Sequence, residues 1–108
     1  MKKILLLILL LISGLTYSQI QVIHFNAGWN SANDVKWVGD LDNCKIKRCD
    51  IASDTKAQSR YEIVVVPTII IFNEGEEVKR FQADISFAMK ATLEDVQEKL
   101  NEIYGDDF

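Results

Sequence analysis

Pro67 is the only proline in this chain, and it interrupts a run dominated by β-branched residues, Ile63-Val64-Val65-Val66-Pro67-Thr68-Ile69-Ile70-Ile71-Phe72. The run is the most strongly strand-forming segment of the sequence, yet proline has no N–H to give to a ladder. It must therefore start, edge or interrupt a strand. A strand beginning at Thr68 after a short loop meets that condition. A prolyl bond, in either isomer, would shape the loop beside it.

The rest of the chain arranges itself around that run. Ile20-Gln21-Val22-Ile23-His24-Phe25 has apolar residues at both parities, the mark of a strand covered on both faces inside a sheet. Ala27 to Asp34 reads as a loop entering a short helix, with Asn30, Ser31 or Asn33 able to cap it and Val35, Trp37, Val38 and Leu41 supplying apolar surface. Cys44 to Ile51 reads as a second strand, and Asp54 can cap another short helix through Arg60 and Tyr61. After the proline-bearing strand, Asn73-Glu74-Gly75-Glu76 is a hairpin turn that returns through Val78 to Phe81. The last helix is the clearest. Thr92-Leu93-Glu94-Asp95 resembles a capping box, Leu93, Val96, Leu100 and Ile103 recur at helical spacing, and Gly105 is placed to end it. The order β-α-β-α-β-β-α predicts an α/β fold with a mixed four-stranded sheet, parallel in its front half and antiparallel at the hairpin, flanked by helices.

The first residues have a different character. Met1-Lys2-Lys3, an apolar run from Ile4 to Ile12 and small residues at Thr16 and Ser18 form the layout of a secretory signal peptide cut before Gln19. A spanning helix needs roughly 20 apolar residues, so no stable membrane span is expected once the leader is cleaved. Residues 1–18 are thus read as a signal peptide and 19–108 as one small domain, periplasmic or secreted. Removing Lys2 and Lys3 leaves ten basic against sixteen acidic residues, a formal charge of −6. That balance disfavours nucleic acid and anionic membrane surfaces as partners.

Two cysteines in an exported chain raise the question of a disulfide. In a strand, the five-residue step from Cys44 to Cys49 spans about 16 Å and puts the thiols on opposite faces. A disulfide needs Cα atoms roughly 4.4–6.8 Å apart, so a bridge within the chain is not expected. One cysteine pair and the distant His24 do not make a four-ligand set, so no metal is expected and no cofactor is implied.

The segments Val22-Ile23-His24-Phe25-Asn26-Ala27-Gly28-Trp29 and Tyr61 to Glu76 resemble, in order, the first core strand and cis-proline segment of the thioredoxin family. The resemblance covers about residues 20–104. It implies a thioredoxin-like fold, a cis Val66–Pro67 bond, and a shallow groove for an extended peptide formed by Trp29, Asn30, Val66 and Pro67. It also exposes departures. Where the family has a Cys-x-x-Cys pair after the tryptophan, this chain reads Asn30-Ser31-Ala32-Asn33, so the redox positions Asn30 and Asn33 cannot exchange a disulfide. The family's buried carboxylate falls at His24 and its lysine neighbour at Arg48. The segment from Asn30 to Cys44 is short enough to remove about two turns of the first helix.

The resulting expectation is an exported, non-catalytic module that binds a protein or extended peptide client. The alternative is a divergent thiol-disulfide oxidoreductase using Cys44 or Cys49, with Cys44, nearer the strand's start, the more accessible. A third reading makes Trp37 and Phe87 an assembly interface.

Overall fold

The chain is described by a computed structural model covering residues 19–106. The expected leader, residues 1–18, lies outside the described residues.

β1 (Ile20–Asn26) is the strand its double-sided apolar pattern predicts, with every residue but Gln21 buried. It pairs in parallel with β2 (Lys45–Asp50), Gln21 opposite Lys45 and His24 opposite Arg48. On its other side it pairs antiparallel with β3 (Thr68–Asn73), Ile23 opposite Ile70. β4 (Glu76–Gln82) then completes a four-stranded mixed sheet in the order β2-β1-β3-β4. β3 begins directly after Pro67, as a residue without an N–H requires. The β3–β4 turn has φ of 55° at Glu74 and 84° at Gly75, and positive φ at both central residues is the type I′ geometry that matches strand twist.

The two faces of the sheet are covered unequally. On one, Ile20, Val22, Ile69 and Ile71 pack with Val35, Val38 and Leu41 and with Val96, Leu100 and Ile103 of the long helix α2 (Leu93–Asp106). On the other, Ile23, Phe25, Ala27, Ile63, Val66 and Ile70 form a smaller cluster, with Tyr61 and Phe72 partly buried against it. The helix on that side, α1 (Thr55–Arg60), is only six residues long.

Two helix starts follow the sequence closely. The Asp54 side chain accepts from the Ala57 N–H at 3.3 Å, and Thr92 and Asp95 exchange bonds, Thr92 N–H to Asp95 Oδ2 at 2.9 Å and Asp95 N–H to Thr92 Oγ1 at 3.2 Å. Elsewhere the details differ. The expected first helix is two 3₁₀ segments, Gly28–Asn33 and Lys36–Asp40, and neither start has a side-chain cap. The Asn30 side chain is turned inward, away from any capping position. Cys44 falls just outside β2, β4 begins at Glu76 rather than Val78, and α2 runs through Gly105 to Asp106. Trp37 is half-buried against the larger cluster. No helix among the described residues is long and apolar enough to cross a membrane.

Candidate functional site

Adjacent residues after β1 take opposite environments to their chemistry. Trp29 is 67% exposed, whereas Asn30 is 6% exposed. A buried amide must find partners, and Asn30 finds several. Its Nδ2 donates to Asn26 Oδ1 at 3.0 Å and to the Phe87 carbonyl at 3.1 Å, with the Val66 carbonyl at 3.5 Å. Its Oδ1 accepts from Asn33 Nδ2 at 2.9 Å, and its backbone carbonyl accepts from Asn26 Nδ2 at 3.1 Å. Asn26 Nδ2 also donates to Asp34 Oδ1. Asn30 thus ties the loop after β1 to the loop before β3 and to the segment after β4.

That last tie fixes Phe87. Its φ is 62°, a conformation uncommon for a bulky residue, and its N–H donates to the Asp84 carbonyl at 3.0 Å. Asp84 also accepts from the Ser86 N–H through its side chain at 2.8 Å. In this turn the Phe87 ring meets Trp29 edge to face, centroids 5.4 Å apart and planes at 88°. Phe87 is 40% exposed and Val64 84% exposed, and with Trp29 both line a hollow of about 90 Å³. Ile51, Ile63, Val65 and Val66 line the same hollow. The Val66–Pro67 peptide is cis. Both residues are buried, and of the two Val66 lines the hollow.

The structure therefore brings together Trp29, Asn30, Val66 and Pro67, and Asn33 joins them through Asn30. Sequence reasoning missed the opposition of Phe87 to Trp29 and the part of Val64. The one local signal was Asp84 and Ser86, whose short polar side chains suit the turn that presents Phe87.

His24 sits under the first 3₁₀ segments, 3% exposed, with Nε2 accepting the Val35 N–H at 3.1 Å. Arg48 lies beside it, Nη1 at 3.5 Å from Nδ1 and Nη2 donating to the Val35 carbonyl at 3.3 Å. Burial, and then the Arg48 charge, lower its pKa from 6.5 to about 4, against opposing effects of Asp34 and a backbone hydrogen bond. It is a neutral core histidine.

Cys44 and Cys49 are free thiols held apart, one packed against each core cluster. Burial, then Asp42, pushes Cys44 up to about 11; burial, then Asp54, also raises Cys49. Neither has the depressed pKa of a reactive thiolate. Both thiols are half-buried, and Cys49 lines two surface hollows. Among the described residues no group of three or more His, Cys, Asp or Glu side chains could hold a metal ion.

No family model and no curated protein matches the sequence. Solved structures do match. The chain is similar to an N21Q mutant thioredoxin from Halobacterium salinarum, at 16% identity and a TM-score of 0.63 over 79% of this chain and 74% of that one. It is also similar to thioredoxin-2 of the malaria parasite, at 14% identity and a TM-score of 0.60 over 78% and 82%. A third, thioredoxin O2 from Arabidopsis thaliana, gives 16% identity and a TM-score of 0.54 over 81% and 76%. At these identities the likeness is one of architecture, and it agrees with the strand order and crossover of the chain itself. Residues 19–106 have the thioredoxin fold.

Proposed function

We propose that this chain is an exported, non-catalytic docking module that holds an extended apolar segment of a client protein at the Trp29–Phe87–Val64 rim. The observation that carries this reading is the aromatic pair. Two large rings stand in solvent, yet they are placed by a buried amide with a full set of partners. Exposed aromatics on a positioned frame are the usual anchors of a binding surface. No charged side chain lines the hollow between them, which suits an aliphatic client side chain. Val66 lines the hollow from below the rim, and buried Asn30 ties it to Phe87, with Pro67 next in the chain. With asparagine at positions 30 and 33, binding involves no thiol step and is reversible. Export places this activity in a periplasm or outside the cell, and N-terminal sequencing of the exported protein is expected to begin at Gln19.

Calorimetric titration with extended apolar peptides tests the binding. Trp29→Ala should abolish it while leaving the circular-dichroism spectrum intact; a variant that binds as well as the parent refutes the reading. Insulin reduction with dithiothreitol tests the thiol alternative. No rate above background is expected, and activity lost in a Cys44→Ser, Cys49→Ser double variant would establish an oxidoreductase instead.

A further inference from the structure

β2 is an edge strand: β1 pairs with one side of it and no strand among the described residues lies on the other. Ile51, which continues β2, donates its N–H to the Asn26 carbonyl of β1 at 2.9 Å. Backbone groups alternate along a strand, so those of Ile46 and Arg48 point to the open side. No turn or loop hydrogen bond occupies them. At Asp50 the open side is already closed, because its carbonyl accepts from Ser53 and Asp54 N–H.

The chemistry of this edge is opposite to that of the chain. The protein from residue 19 carries −6, yet Lys45, Lys47 and Arg48 crowd into four positions of β2, all exposed. None of the three forms an ion pair among the described residues. Ile46 between them is 36% exposed. Beside the strand, on the face covered only by α1, lies a hollow of about 240 Å³. Ile23, Phe25 and Tyr61 give it an apolar lining, and at its polar rim Lys47, Arg48 and Arg60 stand with Asp50 and Asp54, three cationic groups to two carboxylates.

We propose that the open edge of β2 accepts an extended segment of another protein as an added strand, with acidic residues facing Lys45 and Lys47 and an apolar side chain in the hollow beside them. Strand addition takes its affinity from main-chain hydrogen bonds and its selectivity from the side chains that alternate along the edge. Lysines on an edge strand guard against pairing with a like edge. Two β2 edges would bring Lys45 and Lys47 of one copy against those of another, which argues against a second copy as the occupant. The same lysines favour an acidic strand. This surface lies apart from the Trp29–Phe87 rim, so its test stands independently of the function proposed above.

The probe is a peptide of about ten residues alternating glutamate with valine, a strand-like length and pattern. In backbone-amide NMR of the isotope-labelled protein, addition should shift β2 resonances and slow exchange at the Ile46 and Arg48 amides. A lysine-for-glutamate peptide, or one N-methylated at alternate amides, should not. The double variant Lys45→Glu, Lys47→Glu should bind the acidic peptide about tenfold more weakly and gain binding of the lysine peptide. That exchange of preference is one that mere loss of structure cannot produce. The proposal is overturned by shifts that collect around Trp29 and Phe87, by equal binding of the acidic and lysine peptides, by no response at β2, or by a free protein that self-associates through β2.

Discussion

The two faces of the sheet divide the work of the molecule. Beneath α2, ten buried residues make a closed core under a helix of fourteen residues. On the opposite face, six buried residues lie under a helix of six. The thin face is also where the candidate surfaces gather. Ile63 and Val66 belong to its cluster and line the hollow beside Trp29, while Ile23 and Phe25 belong to it and line the hollow beside β2. One face supplies most of the burial that holds the fold, and the other keeps apolar surface near solvent where a partner can reach it.

Leu100→Ala, on the thick face, should cost about 3–5 kcal/mol, read from the shift in urea midpoint. Ile63→Ala on the thin face should cost less, and an equal or greater loss there would break the contrast. The next effect comes from pH. His24 is held near pKa 4 when folded against 6.5 when unfolded, so between those values the unfolded chain binds more protons. Stability should therefore fall as pH drops from about 6.5 to about 4, by up to ~3 kcal/mol, and be insensitive to this group above that window. His24→Gln should flatten that part of the stability–pH curve; an unchanged slope would assign it to other groups.

Asn30→Ala should cost about 1–3 kcal/mol, because it deprives buried Asn26 Oδ1 of its donor and the part-buried Phe87 carbonyl of another. Its effect on the rim is more specific than its effect on stability. The mutual contact of Trp29 and Phe87 should loosen, visible as weaker ring-current shifts in the proton NMR of Phe87. The smallest change is expected for Trp29→Ala, within about 0.5 kcal/mol by thermal denaturation, since the ring is largely exposed. A large loss there would move Trp29 from contact surface to core.

Much of the frame could be read from local pattern. β1 and β3 carry apolar residues at both parities because they lie inside the sheet, and Thr92 to Ile103 states both its cap and its buried stripe. Asp54 likewise announces the helix that it caps. The site was legible only in part. Asn30 and Asn33 look like helix caps in sequence because their amides suit that role, but Asn30 instead bonds a carbonyl 57 residues away. Such a contact leaves no trace in a local window. Gly105 misled for the opposite reason, since its freedom to end a helix is not used once Leu100 and Ile103 anchor that helix to the core. Trp37 and Trp29 have the same side chain and are separated by packing alone.

That difference between the two tryptophans gives the molecule an optical consequence. Both contribute to its fluorescence, but Trp29 stands in water at the rim while Trp37 is shielded by the core. Acrylamide should therefore quench the two unequally, and in Trp37→Phe the remaining emission becomes a label-free report on one spot of the surface. A client covering the rim would shift that emission to shorter wavelength, whereas a strand added at β2 would leave its colour unchanged.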